Sequence, residues 1–276
     1  MSVEAAPVCY RHTDRESHIR CQRCERPICP DCMKSAAVGF QCPECVREGQ
    51  RSVRQGRPLT FGVGAPVVTY ALIGINLLVW VIVLAKPAVL DYLLLHKANI
   101  CSPQQGWVLN VPNVQSAQCA GDGWRFYPGA AHGGWYEVLT SMFTHQNVVH
   151  IASNMLSLWM IGPLVESALG RVRYLAAYLI SGLAGSALVL ATTSADTRTL
   201  GASGAIFGLL GVLVVLFLRR GLPLQQLGAV VALNFFITFT VANISWQAHV
   251  GGFIAGLAIG ALFAYTRLFR RRILQR

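Results

Sequence analysis

The chain has 276 residues, of which 54% are hydrophobic and 13% are charged, and its formal net charge is +11. The apolar residues come in long runs, so a single soluble domain is excluded and several membrane crossings are predicted. Aromatic residues are not interleaved with the basic ones. We therefore interpret the positive charge as flanks of membrane segments, and we expect no nucleic acid partner. The first apolar run starts near Ala65, so no signal peptide is predicted.

The first 48 residues carry a metal-ligand pattern. Four pairs, each separated by two residues, are Cys9 and His12, Cys21 and Cys24, Cys29 and Cys32, and Cys42 and Cys45. Both members of such a pair can bind one tetrahedral metal ion, so the eight ligands predict two structural zinc ions. The spacing favours cross-bracing, with pairs one and three on one ion and pairs two and four on the other. The segment resembles small B-box and RING-like zinc modules. A disulfide cluster is the disfavoured alternative, and His18 is expected to lie on the surface.

The apolar part of the chain follows a basic linker, predicted at residues 49–65. Each of six apolar runs is near the roughly 20 residues that a helix needs to span a bilayer. The runs are residues 66–85, 148–169, 174–193, 202–218, 222–241 and 248–266. We therefore predict an all-α polytopic membrane domain over residues 66–268, with a long outer loop at 87–146 and a basic tail at 269–276.

The basic residues predict the orientation of these helices. The linker arginines, Arg171 and Arg173, Arg219 and Arg220, and the arginines of the tail all fall on one side. Both termini, including the zinc module, are therefore predicted to be cytosolic in a plasma membrane. The outer loop is rich in aromatic residues and is expected to contact the bilayer interface. Its two cysteines, Cys101 and Cys119, could form a disulfide or remain two thiols.

Polar residues inside the apolar runs mark function by default, because they are costly in lipid. His150 and Asn154 share a helix face in the second run, Ser203 opens the fourth run in GASGAIFG (residues 201–208), and His249 opens the sixth. At about 1.5 Å per residue, Ser203, His249 and Asn154 lie about 24–27 Å from the cytosolic arginines. This shared depth is several ångströms below the outer surface of a core about 30 Å thick. It predicts a site between three helices.

The residue types at this depth indicate nucleophilic chemistry. Ser203 is a poor nucleophile unless a base removes its proton, and His249 is the candidate base. The candidate donors to an oxyanion are His150, the amide of Asn154 and the backbone N–H of Ser203 at a helix start. No acidic residue lies near this depth in the runs, which favours a Ser–His dyad over a triad.

Small residues line two of the predicted helices. They are Gly204, Gly208 and Gly211 in the fourth run and Gly252, Gly256 and Gly260 in the sixth. Such stripes let helix backbones touch, which would bring Ser203 toward His249. Phe207 could stack on His249, although simple packing is the more common role of such a residue.

The motifs His150-x3-Asn154, Gly201-x-Ser203-Gly204 and Ala248-His249-x2-Gly252-x3-Gly256 resemble those of the rhomboid intramembrane serine proteases. The resemblance covers residues 66–267 and implies a six-helix bundle that cleaves transmembrane protein substrates in the lipid bilayer without a cofactor. It implies that Ser203 is the nucleophile, that His249 is the general base, that His150 and Asn154 are oxyanion donors and that His145 is structural. The active site is then expected to open toward the outer face.

The resemblance extends unevenly to the parts that hold the outer loop. Gly162-x3-Glu166 resembles the family's loop-anchoring motif after the second span. The family usually has Trp-Arg shortly before the second span, whereas this chain has Tyr136-Glu137 there and a Trp124-Arg125 pair further upstream. The resemblance therefore does not predict how the loop is anchored.

Three other functions are weighed against proteolysis. A catalytically inactive rhomboid-like protein that binds membrane clients is disfavoured because both Ser203 and His249 are present. A transporter is disfavoured because no inverted repeat or buried acid–base relay is evident. A zinc module with a mere membrane anchor would not need six spans with a shared polar layer, so the module is expected to bind a cytosolic protein partner or to regulate the enzyme. A zinc protease is unsupported because the chain lacks an HExxH motif.

Overall fold

A computed structural model describes residues 6–36, 38–52, 65–103, 116–119, 124–195 and 197–265. The chain divides into two compact units, Met1–Pro58 and Leu59–Arg276. The predicted tail at 269–276 lies outside the described residues, as does most of the predicted linker at 49–65.

The first unit is small and contains little regular structure. Strands β1 (Lys34–Ser35) and β2 (Phe40–Gln41) form an antiparallel hairpin, and helix α1 (Pro43–Ser52) follows. Among the described residues of this unit, the buried hydrophobic ones are cysteines apart from Ile28. Because so small a unit has too little apolar surface to bury, its stability requires cross-links or bound metal.

The second unit is a bundle of long helices. They are α2 (Val67–Ala85), α5 (Val148–Leu169), α6 (Arg171–Thr192), α7 (Ser203–Arg220), α8 (Gln225–Thr240) and α9 (Trp246–Tyr265). Five of these six are long and apolar enough to cross a membrane, and α8, with 16 residues, is shorter. Its later start is explained by Pro223, which is poorly accommodated within a helix. The third predicted run extends further, since α6 begins at Arg171 directly after Gly170 ends α5.

Helix α7 lies at the centre of the bundle and is buried along most of its length. It touches α9 through the two predicted glycine stripes. A methyl group at Gly252 would overlap the carbonyl group of Gly204, and one at Gly256 would overlap that of Gly208. Backbone contact of this kind stabilises helix pairs by close van der Waals packing.

The loop between α2 and α5 contains short elements. They are α3 (Leu90–Leu93), β3 (Leu95–His96), β4 (Ile100–Pro103), β5 (Trp124–Tyr127) and α4 (Glu137–Thr140). Strands β4 and β5 pair antiparallel, and a disulfide joins Cys101 to Cys119, which decides between the two alternatives open from the sequence. Strand β3 pairs with β6 (Arg198–Thr199), which directly precedes the segment leading to Ser203. The loop is therefore tied by backbone pairing to the start of α7.

Glu166 ties two of the long helices together. Its carboxylate oxygens on α5 accept hydrogen bonds from the N–H groups of Val68 (3.1 Å) and Thr69 (2.8 Å) and from the Thr69 hydroxyl (2.8 Å). These N–H groups lie in the first turn of α2, where backbone N–H groups have no carbonyl partner within the helix. The positive end of the helix dipole there also attracts the negative charge of Glu166. Glu166 thus acts as a cap supplied by a neighbouring helix.

Candidate active site and metal-ligand clusters

Ser203 and His249 are in direct contact. Ser203 is the first residue of α7 and His249 lies in the first turn of α9. The Nε2 atom of His249 lies 2.8 Å from the Ser203 hydroxyl oxygen. The glycine contacts between α7 and α9 explain this approach, because bulkier residues would hold the two helix ends apart. An imidazole nitrogen at hydrogen-bond distance from a hydroxyl is what general-base activation requires.

Two further side chains fix the ring of His249. Phe207, one turn along α7, stacks on the imidazole with ring centroids 4.1 Å apart and planes 10° apart. The Thr238 hydroxyl of α8 lies 2.7 Å from Nδ1 of the same ring. The sequence left the role of Phe207 open and gave no role to Thr238. No signal in the sequence singles out Thr238, because threonines are common in apolar helices.

Gly201 lies between His150 and Ser203. Its φ is +117°, which side chains other than glycine rarely adopt, and a Cβ there would lie 2.6 Å from Nε2 of His150. The same Cβ position is 3.8 Å from the Ser203 hydroxyl oxygen. The His150 ring and the Ser203 hydroxyl therefore border the same small space, which only glycine leaves open.

Asn154 and His145 both contact His150. The side-chain amide of Asn154 donates a hydrogen bond to the His150 carbonyl (2.9 Å), one turn back on α5. This leaves the amide a second N–H. The His145 ring is buried edge-on against the His150 ring, with centroids 4.9 Å apart. Packing against His145 holds the ring of His150 in place.

The eight candidate metal ligands form two clusters in the first unit. One contains Cys9, His12, Cys29 and Cys32, and the other contains Cys21, Cys24, Cys42 and Cys45. These are the two sets that the spacing favours. Tetrahedral zinc with bonds of about 2.0–2.3 Å places its ligand atoms about 3.3–3.8 Å apart. Nδ1 of His12 lies 3.3 Å from Sγ of Cys29 and 3.5 Å from Sγ of Cys32, and the sulfurs of Cys24 and Cys42 are 3.8 Å apart. Both clusters therefore fit a metal ion.

The surroundings of three sulfurs favour the thiolate form that binds metals, whereas burial and neighbouring thiols raise the pKa of Cys32 and Cys45. Burial raises the pKa of the Cys9 and Cys21 thiols, but backbone N–H groups directed at the sulfurs outweigh it and the pKa falls to about 6. One such donor is the N–H of Cys42, 3.2 Å from Sγ of Cys21. The Arg26 guanidinium, 3.3 Å from Sγ of Cys24, lowers the pKa of that thiol.

The second unit is thus a polytopic helical protein with a serine–histidine pair between two of its helices. The rhomboid domain family matches residues 132–266. The chain is 34% identical to the rhomboid protease GluP of Bacillus subtilis over 151 residues, 52% of this chain and 29% of GluP. It is 32% identical to YdcA of Bacillus subtilis over 139 residues, 49% of this chain and 70% of YdcA. It is 28% identical to the rhomboid protease AarA of Providencia stuartii over 233 residues, 74% of each chain.

The chain belongs to the rhomboid family. It spans less than a third of GluP, so the similarity does not extend to the whole of that relative.

Proposed function

We propose that this protein is an intramembrane serine endopeptidase that hydrolyses peptide bonds in or near transmembrane segments of membrane proteins. The observation that carries the proposal is the 2.8 Å contact between the Ser203 hydroxyl and Nε2 of His249. Membership of the rhomboid family and the names of its relatives GluP and AarA support the reaction class. The chain's own substrates are transmembrane proteins that reach this pair through the bilayer.

The reaction proceeds in two steps. His249 takes the Ser203 proton at Nε2 as the Ser203 oxygen attacks the substrate carbonyl carbon, and His249 then gives that proton to the leaving amine as the C–N bond breaks. A water molecule next attacks the resulting ester, with His249 taking its proton and returning it to the Ser203 oxygen. His150, the second amide N–H of Asn154 and the backbone N–H of Ser203 stabilise the oxyanion in each step.

In the first unit, which we assign to residues 1–48, each cluster holds one structural zinc ion. The four thiolates of one cluster and the three thiolates and imidazole of the other are closed sets of the kind that bind structural rather than catalytic zinc. Catalysis needs no cofactor. The module binds a cytosolic protein partner or regulates the membrane domain, which we assign to residues 66–268.

The protein lies in the plasma membrane with both termini in the cytosol. The arginine-rich segments at the ends of the helices support this orientation. The disulfide between Cys101 and Cys119 and the seven free cysteines of the first unit fit an oxidising outer side and a reducing cytosol. The site opens toward the outer face.

Proteolysis is tested with purified protein in liposomes that contain a fluorescent transmembrane substrate. Wild type is expected to cleave the substrate, whereas Ser203→Ala and His249→Ala are expected to be inactive. Ser167→Ala is the matched control, because its hydroxyl also lies in a bundle helix but donates to the Leu164 carbonyl (2.9 Å). Equal cleavage by all four proteins would contradict the dyad, and cleavage by none of them would favour a client-binding protein without catalysis.

The metal assignment is tested by elemental analysis of the purified full chain. We expect two zinc ions per chain, and one after Cys29→Ser or Cys42→Ser. His18→Ala is the control, since His18 contacts Glu16 (2.8 Å) and belongs to neither cluster. Metal-free protein with seven reactive thiols would contradict the assignment.

A further inference from the structure

Thr238 is one of two buried residues on α8, and the other, Leu227, is apolar. The exposed side chains of α8 include Leu233 (57% exposed), Phe236 (65%) and Phe239 (62%), whereas Thr238 is 3% exposed. Its hydroxyl oxygen is 2.7 Å from Nδ1 of His249. Nδ1 faces away from Ser203, because Nε2 of the same ring contacts the serine hydroxyl. The threonine is therefore the partner of the nitrogen that the proposed chemistry does not use directly.

The other partner of the Thr238 hydroxyl favours one direction for this bond. The Thr238 hydroxyl has one hydrogen, and its oxygen lies 2.8 Å from the Asn234 carbonyl, which can only accept. With that hydrogen on the carbonyl, the hydroxyl offers lone pairs to the imidazole and must accept a hydrogen from Nδ1. Neutral histidine carries one ring hydrogen, so Nε2 is left with a lone pair facing Ser203. This is the tautomer that a general base needs.

We propose that Thr238 is a positioning residue that holds His249 in the Nδ1–H tautomer and orients Nε2 toward Ser203. The proposal rests on the proposed role of His249 as the base. Thr238 takes the place that a carboxylate occupies in a Ser–His–Asp triad. A hydroxyl achieves this without placing an unpaired charge among apolar helices, which would be costly.

The bond between Thr238 and His249 also strengthens during the reaction. When His249 accepts the serine proton, the ring becomes positively charged and its Nδ1–H bond to Thr238 becomes charge-assisted. Such bonds are shorter and stronger than neutral ones, so Thr238 stabilises the transition state more than the resting enzyme. Its loss therefore lowers kcat and leaves KM nearly unchanged.

The test compares three variants of the full chain in the same liposome assay. Thr238→Val keeps the side-chain shape without the hydroxyl, and Thr238→Ser keeps the hydroxyl. Thr240→Val is the matched control on α8, because the exposed Thr240 makes the same kind of bond to the Phe236 carbonyl (2.7 Å). We expect kcat to fall about tenfold in Thr238→Val with KM within about twofold, near wild-type kcat in Thr238→Ser, and no change in Thr240→Val.

Equal kcat in wild type and Thr238→Val would overturn the proposal, as would equal losses in Thr238→Val and Thr238→Ser, which would indicate packing alone. If Ser203→Ala retains cleavage, the proposed function itself fails, so the two failures are distinguishable. ¹⁵N spectra of histidine-labelled wild type provide a second readout that does not depend on the folding of a variant. A protonated Nδ1 and an unprotonated Nε2 in His249 support the proposal, and a protonated Nε2 contradicts it.

Discussion

Glu137 accepts two hydrogen bonds from a single residue, His96. One comes from the His96 backbone N–H (2.9 Å) and the other from Nδ1 of its ring (3.2 Å), and both side chains are fully buried. Glu137 stands at the position where the family's tryptophan–arginine pair is usually found. In this chain the residue at that position in the loop between α2 and α5 is thus an acceptor rather than a donor. Since His96 belongs to β3, which pairs with β6, Glu137 is connected to the segment that leads to Ser203.

Replacing Glu137 is expected to destabilise the protein and to reduce activity. The effect on activity is indirect, because it acts through the loop and the β3–β6 pairing and not through a contact with Ser203. Glu137→Ala leaves a buried N–H and a buried imidazole without their acceptor, which costs about 2–3 kcal/mol of unfolding free energy. Glu137→Gln keeps one oxygen for the backbone N–H and is expected to cost less than half of that. Thermal unfolding and cleavage assays of both variants provide the measurement, and equal stability of wild type and Glu137→Ala would show that the bonds contribute nothing.

The same carboxyl group predicts a pH dependence of stability. Burial raises the pKa of Glu137, and the bonds from His96 offset this only in part. The folded protein therefore holds this proton more tightly than the unfolded chain, where the pKa is about 4.3. The contribution of Glu137 to unfolding free energy is thus present below pH 4.3 and is lost as pH rises through the raised pKa. Between pH 4 and pH 7, the unfolding free energy of wild type should fall more steeply with pH than that of Glu137→Gln. If the two free energies change with pH in parallel, Glu137 is not the source of the pH dependence.

The contact between α7 and α9 predicts that glycines matter more there than at positions with open space around them. Gly252→Ala places a methyl group against the Gly204 carbonyl, so the helices must separate and carry Ser203 away from His249. We expect loss of at least about 90% of the cleavage rate, since small displacements of reacting groups cost about 100-fold. Gly74→Ala in α2 is the control, because a methyl group there meets no atom within 4 Å and favours the helix. Similar activities of the two variants would contradict this interpretation.

Phe207 stacks on His249, and we expect this contact to support the proposed base. Phe207→Leu retains an apolar side chain but removes the flat face that lies 4.1 Å from the imidazole. Aromatic stacking contributes about 0.5–1.5 kcal/mol, so we expect kcat to fall about 2- to 12-fold. Phe239→Leu serves as the comparison, because Phe239 is exposed and stacks on Phe235 instead. If kcat falls equally in both variants, the stacking on His249 has no special role.

The serine–histidine pair and the cysteine clusters could be predicted from the sequence, because their residue types and spacing are unusual where they occur. Ser203 and His249 stand out because a polar residue in a long apolar run is costly in lipid and therefore usually has a function. The two cysteine clusters follow from ligand spacing. Thr238 could not be separated from Thr240 in this way, because threonines are common in apolar helices, where the hydroxyl bonds to the preceding turn. Only the position of α8 beside α9 distinguishes the two.

Glu137 was hidden for a different reason. An acidic residue in a loop rich in glycine and polar residues is usually exposed, and nothing in the local pattern indicates that His96, 41 positions earlier, lies against it. The number of membrane spans is a related case. The sequence predicts six, and five of the described helices have the required length, because composition marks an apolar run but not where Pro223 lets the helix begin.

The pairing of β4 with β5 has a consequence for how the loop between α2 and α5 can change. Pro103 and Trp124 are register partners, so the two chain ends that border residues 104–123 are held about 5 Å apart by the ladder, whatever lies between them. Doubling the length of such an excursion costs only about 0.6 kcal/mol. New sequence inserted between Pro103 and Ser116 would therefore leave Cys101 and Cys119 joined and Ser203 in place. Evolution or an engineer could use this point to attach a recognition domain or a reporter to the protein.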